Sequence, residues 1–220
     1  MQRYLRRFFI LHLSLMVFSL GLAITIRANI GYSPWEIFHD GIAKNVGLSI
    51  GTISIIVGVI LAVIVRVCGE QLGMGTVFNV VLVGTYINII LGAEFIPIAQ
   101  NLAWGTLMMI IGMYIIAIGA YFYIDAGFGA GPRDTLMILL TRATKLPIGV
   151  CRSGIEFAVA MAGWAFGGMV GLGSIIFVLG TGFCTQTTFR FFRFDPTKVE
   201  HENFRDSWVK IKELLGSHPS

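Results

Sequence analysis

The chain has 220 residues, of which 55% are hydrophobic and only 13% are charged. Soluble domains carry about 25% charged residues, so this chain has too few charges to cover a surface that faces water. The composition excludes a soluble globular protein and predicts an all-α membrane protein. The net charge is +4. The basic residues are distributed as membrane topology requires and form no surface for binding nucleic acid, so no nucleic-acid partner is expected.

The first predicted element is an uncharged apolar run over residues 8–26, preceded by Arg3, Arg6 and Arg7. This run is long enough to cross a bilayer as a helix. It exceeds the core of a typical signal peptide, and no A-x-A cleavage site follows it. We therefore expect a retained membrane-spanning helix.

The rest of the chain alternates between long apolar segments and short polar ones. Five further spans are predicted, over residues 49–67, 77–93, 103–124, 148–170 and 172–189. Two shorter segments, 33–45 and 132–144, are predicted to enter the membrane as re-entrant half-helices and return. An alternative is that both cross the bilayer, which would give eight spans and a parallel repeat.

The last predicted element is a polar tail over residues 191–220. Its apolar side chains follow a helical spacing, at Phe204, Trp208, Ile211 and Leu215. An amphipathic helix of this kind lies on the inner leaflet of a membrane. Binding of a partner protein is the alternative role for the same stripe.

Lysine and arginine are concentrated on one predicted side of the membrane. With six spans and the N-terminus inside, fourteen basic residues lie on the cytoplasmic side and two, Arg27 and Lys44, lie outside. Because cytoplasmic loops carry the excess of positive residues, both termini are expected in the cytoplasm.

One motif occurs twice, at an offset of 98 residues. Its copies are the segments Gly31-Tyr32-Ser33-Pro34-Trp35-Glu36 and Gly129-Ala130-Gly131-Pro132-Arg133-Asp134, and matched glycines continue at the same offset. Such a run predicts an internal duplication, with repeats over 1–98 and 99–190. Each repeat has three predicted spans, an odd number, so the second copy must be inverted in the membrane.

The motif has two interpretations, which both stay open. Glycine permits a tight turn, proline suits the first turn of a helix, and a carboxylate there complements the helix dipole. That accounts for the start of a short helix. Half-helices that meet near the membrane centre can also line a binding cavity. The candidate substrate-binding residues on this interpretation are Gly31, Ser33, Pro34, Glu36, Gly129, Gly131, Pro132, Arg133 and Asp134.

Arg152 and Glu156 add a second candidate site on the predicted span 148–170. They are four residues apart, so they share one face of the helix and can form an ion pair. Ionisable residues inside a span are costly and mark functional sites by default. The alternative is that Arg152 extends to the cytoplasmic interface, with Glu156 as its structural partner.

Other chemistry finds little support in the sequence. The three cysteines have no paired spacing and the four histidines are scattered, so no metal site and no cofactor are expected. No catalytic triad, H-E-x-x-H or phosphate-loop signature occurs, and an enzyme is not expected.

The doubled Gly-x-[Ser/Gly]-Pro segment resembles the bacterial YczE/YyaS/YitT group of membrane proteins. The likeness covers residues 8–190 and is strongest to the YczE-type members, because the tail is too short for the soluble domain that YitT-type members carry. The resemblance implies a bacterial inner-membrane protein and supplies no catalytic residues.

The expected function is a small secondary transporter or permease for a small solute or an ion. This expectation comes from the architecture, since inverted repeats with broken helices place a site at their interface. The alternative is a membrane scaffold or regulator of a cytoplasmic biosynthetic enzyme. A homodimer is a further prediction, because six helices enclose only a limited cavity.

Overall fold

The computed structural model describes residues 2–70, 72–129, 131–195, 199 and 202, and the predicted stripe of the tail lies outside them. Within these ranges the chain is helical, without strands. The eight helices are α1 Gln2–Arg27, α2 Pro34–Val46, α3 Ile50–Val67, α4 Met74–Gly92, α5 Leu102–Asp125, α6 Pro132–Thr144, α7 Ile148–Ala165 and α8 Leu172–Phe191.

Five of these described helices, namely α1, α3, α4, α5 and α8, are long and apolar enough to cross a bilayer. A sixth span results only if α6 and α7, which meet at 119°, are counted as one broken span. The helix predicted over 148–170 is shorter than expected and ends at Ala165. The physical reason is the Phe166-Gly167-Gly168 turn, in which Gly167 has a φ of +87°.

The two short helices begin as their sequences predict. Ser33 and Gly131 are the extended N-cap residues, and a proline occupies the first helical turn in both. Each helix has 13 residues, which corresponds to about 20 Å at 1.5 Å per residue. Neither helix alone can cross a hydrocarbon core of about 30 Å.

The turns before the short helices make matching hydrogen bonds with the opposite half of the chain. Gly75 N–H donates to the carbonyl of Phe128 at 2.8 Å, and Gly173 N–H donates to that of Ile30 at 2.7 Å. Both donors and both acceptors are related by the 98-residue offset. Next to the acceptors, Gly31 and Gly129 adopt φ values of +118° and +111°, which only glycine adopts readily.

Helices α1 and α5 form the most extensive helix pair and the centre of the protein. A Cβ at Gly21 would lie 2.7 Å from the backbone nitrogen of Ile116, and one at Gly119 would lie 2.6 Å from that of Phe18. These two contacts are again related by the offset. Around this pair, α1 also packs on α4, α5 on α8, α2 on α7, and α6 on α3.

Candidate functional site

Three ionisable side chains from the two short helices come together, and the two on α2 are buried. Glu36 and His39 lie on α2 and are 2% and 0% exposed. Arg133 extends from the first turn of α6, and its guanidinium lies 4.0 Å from Glu36 Oε1. We call Glu36, His39 and Arg133 the central cluster.

The bonds within the central cluster are long. Arg133 Nη2 lies 3.4 Å from both His39 Nε2 and the hydroxyl of Ser54, and His39 Nδ1 lies 3.9 Å from Glu36 Oε1. Hydrogen bonds between nitrogen and oxygen are usually 2.7–3.2 Å long. Glu36 Oε1 and His39 Nδ1 are buried without a hydrogen-bond partner among the described residues. The cluster can therefore accept further bonds, to a proton or to a polar group.

Trp35 completes the surroundings of Arg133. The guanidinium carbon lies 4.6 Å from the centre of a Trp35 ring, within the range of a cation–π interaction. Trp35 and Arg133 are equivalent positions of the repeated motif, because 98 residues separate them. Equivalent positions that touch each other must lie where the two halves of the chain meet.

The other acidic residue of the motif has a different environment. Asp134, the counterpart of Glu36, is exposed, whereas Glu36 is buried. Gly31, Ser33, Pro34, Gly131 and Pro132 are buried. With Gly129, they form the turns and the first helical residues and bring no further charge to the central cluster.

Arg152 and Glu156 form the ion pair that their spacing predicts, with 2.9 Å between Arg152 Nε and Glu156 Oε1. The Arg152 side chain is 54% exposed and that of Glu156 is 22% exposed. The pair borders a cleft of about 830 Å³ between α7 and α8. Helix α7 packs on α2, so the cleft borders the helix next to the one that carries Glu36 and His39.

Sequence reasoning missed His39 and Ser54. A signal for His39 was available, because it follows Glu36 by three residues and therefore shares its helical face. Ser54 comes from α3, and nothing in its local sequence marks it as a neighbour of Arg133.

Comparison with known proteins gives the family. Residues 5–190 match a family model described as "Family of unknown function (DUF6198)". The chain belongs to this family. It is 33% identical over 171 residues to the "Uncharacterized membrane protein YczE" of Bacillus subtilis, covering 76% of this chain and 78% of that protein.

Two further relatives are more distant, and both match over most of their length. An "Uncharacterized protein" of Haemophilus influenzae is 29% identical, with 80% of each chain covered. The "Uncharacterized protein YyaS" of Bacillus subtilis is 26% identical, covering 76% of this chain and 84% of that protein. No solved structure matches the chain. With the apolar helices, these relatives establish a multi-pass integral membrane protein of the YczE/YyaS type.

Proposed function

We propose that the protein is a small secondary transporter of the bacterial inner membrane, with both termini in the cytoplasm. Its solute site would lie where the two short helices approach each other. The observation that carries this proposal is the central cluster, in which a buried acid and a buried histidine from one half of the chain lie next to a partly exposed arginine from the other half. Ionisable groups in the interior of a membrane protein are costly and are kept for function by default.

The proposal includes an inverted repeat. Its support comes from contacts that recur in exchanged pairs, as a two-fold relation between units requires. The turn of each half bonds to the opposite half, and the equivalent residues Trp35 and Arg133 meet each other. Inverted repeats of this kind place substrate near the bilayer midplane, beside interrupted helices.

The chemistry of the central cluster suggests coupling to a proton. With Glu36 ionised, its carboxylate balances the charge of Arg133. A proton added to Glu36 neutralises the carboxylate. The guanidinium of Arg133 is then free to bind an anionic group of the solute. Release of the solute then lets Glu36 lose its proton on the other side of the membrane, so that proton and solute move together.

Flux measurements on purified protein in liposomes test this function. A pH-sensitive dye is enclosed, and mixtures of small carboxylates or of amino acids are added outside at a fixed membrane potential. We expect acidification that depends on an added solute, and a loss of about tenfold or more in Glu36→Gln, because the variant cannot take up the proton. The control is Glu94→Gln, which changes an exposed acid and should retain full flux. Wild-type flux in Glu36→Gln would overturn the proposal.

Removal of residues 203–220 tests the alternative role as a scaffold or regulator. The truncated chain keeps Glu202, whose carboxylate pairs with Arg7 at 2.6 Å. A transporter should retain its flux, whereas a docking protein should lose its cytoplasmic partner. The predicted homodimer is checked in the same preparation by light scattering after size-exclusion chromatography.

A further inference from the structure

The pair α3–α4 and its counterpart α7–α8 differ in how closely the helices approach. In the first pair, a Cβ at Gly51 would overlap the carbonyl oxygen of Gly84, and one at Gly84 would overlap that of Gly51. Asn88 reinforces this crossing, since its Oδ1 accepts the N–H of Gly51 at 3.1 Å and its Nδ2 donates to Thr52 at 3.1 Å. The two helices touch through their backbones.

The equivalent glycines of the second pair do not touch. Gly149 and Gly182 follow Gly51 and Gly84 by 98 residues, and a Cβ at either would have no neighbour within 4 Å. Both glycines instead line the 830 Å³ cleft. The surface that closes the first pair is therefore open in the second.

The side chains on that surface also differ between the two helix pairs. Four buried positions of the first pair, Ser54, Gly58, Val83 and Ile87, correspond by the offset to Arg152, Glu156, Thr181 and Thr185. All four residues of the second pair line the cleft. In the first pair, a Cβ at Gly58 would lie 2.9 Å from Val80, so a glutamate at this position is incompatible with so close a crossing.

This change of side chains indicates what the cleft contains. Arginine, glutamate and threonine together suit neither helix packing nor contact with acyl chains, and polar groups of a span face protein or water. Arg190 also lines the cleft, so two guanidinium groups face one carboxylate. Arg152 pairs with Glu156 through Nε, so its terminal nitrogens can still bind an anionic group, and Arg190 adds a second positive charge.

We propose that the α7–α8 cleft is a water-filled binding site for a small solute that bears a carboxylate. Arg152 would hold the carboxylate and Gln186 would donate a further hydrogen bond, while the solute exchanges with the cytoplasm. The proposal rests on the transporter function and deepens it, because it names the class of solute that reaches the central cluster. An anionic lipid headgroup is the other source of the same chemistry.

Cysteine labelling with a charged, membrane-impermeant maleimide tests this site. In a chain whose native cysteines are replaced by alanine, Thr181→Cys is compared with its repeat counterpart Val83→Cys. We expect at least about tenfold faster labelling of Thr181→Cys, because Val83 is 6% exposed and Thr181 faces the cleft. Thr185→Cys and Ile87→Cys form a second matched pair, which serves if one variant does not elute as a folded protein in detergent.

Protection of Thr181→Cys identifies the ligand. Succinate and L-alanine are the free carboxylate probes, succinamide is the uncharged control, and nanodiscs with or without phosphatidylglycerol represent lipid. Protection by succinate or L-alanine but not by succinamide supports the proposal. Adding Arg152→Gln should then weaken protection by about tenfold or more, whereas Arg142→Gln, which removes an exposed arginine of α6, should not weaken it.

Three results would overturn the proposal: equal labelling of both members of each pair, absence of protection by either carboxylate probe, or protection by phosphatidylglycerol alone. The measurement does not require transport, so the two proposals can fail separately. Protection that persists without any solute-dependent flux would keep the binding site and remove the transporter function. Flux without protection would keep the transporter function and remove the binding site.

Discussion

The short helices α2 and α6 correspond in sequence, yet the protein holds them very differently. Seven residues of α2 are buried, whereas only Pro132 and Thr135 are buried in α6. The difference follows from the helices beneath them. The segment under α2 has Gly163 and Gly168, and the equivalent positions under α6 are Val65 and Glu70.

The glycines under α2 allow its backbone to touch that of the neighbouring segment. A Cβ at Gly163 would overlap the amide nitrogen of Phe38, and one at Gly168 would overlap the carbonyl oxygen of Ile37. Among the described glycines of α3, none has a Cβ position that meets the backbone of α6. The comparison indicates that α2, which carries Glu36 and His39, is packed more closely than α6, which carries Arg133.

Adding one methyl group under α2 should have the largest effect on this arrangement. We expect Gly163→Ala to lower the free energy of unfolding by about 1–3 kcal/mol, because the backbone of α2 must move away. Gly154→Ala lies on the same helix with no neighbour within 4 Å, and it should be neutral or stabilising by up to about 1 kcal/mol. Thermal unfolding in detergent measures both variants. Equal midpoints would show that α2 does not depend on close packing.

Removing the carboxylate of Asp40 should have an intermediate effect. This group accepts the N–H of Met169 at 2.9 Å and pairs with Lys44 at 2.7 Å. We expect Asp40→Ala to lower the free energy of unfolding by about 1–2 kcal/mol, since a partly buried backbone donor loses its partner. Lys44→Ala removes the ion pair of a half-exposed lysine and its exposed hydrogen bond to the carbonyl of Gly167, and should cost less than about 1 kcal/mol. A larger loss of unfolding free energy in Lys44→Ala than in Asp40→Ala would show that the ion pair, and not the bond to Met169, provides the stabilisation.

Breaking the ion pair between Arg142 and Glu70 should have the smallest effect. This pair joins the end of α6 to the connection after α3, and the arginine side chain is 67% exposed. We expect Arg142→Gln to change the free energy of unfolding by less than about 1 kcal/mol, because exposed ion pairs contribute little and are screened by salt. Repeating the melt at high salt checks the cause. A clear destabilisation at all salt concentrations would mean that α6 is fixed as firmly as α2.

The sequence predicts the local features of this fold well. Ser33-Pro34 and Gly131-Pro132 mark the starts of the short helices, because an extended residue followed by proline suits a first turn. The span predicted over 148–170 extends five residues beyond the end of α7 at Ala165. Apolar residues continue past the turn, and composition alone does not show where glycine breaks the helix.

The central cluster was only half predictable. The repeated motif identified Glu36 and Arg133 as candidates, but the motif describes each short helix by itself. That the two side chains approach each other, with Ser54 beside them, depends on how α2, α3 and α6 pack. The same motif predicts equivalent roles for Asp134 and Glu36, although Glu36 is buried and Asp134 is exposed.

The stacking of Trp35 on Arg133 has a consequence for how such a protein can evolve. In an assembly of two separate, identical chains, a position that meets its own copy must present the same residue from both sides. Two arginines would repel there, and two tryptophans would bring no charge. Once both copies are encoded by a single gene, each can mutate independently. An aromatic ring can then face a cation where the two halves of the chain meet.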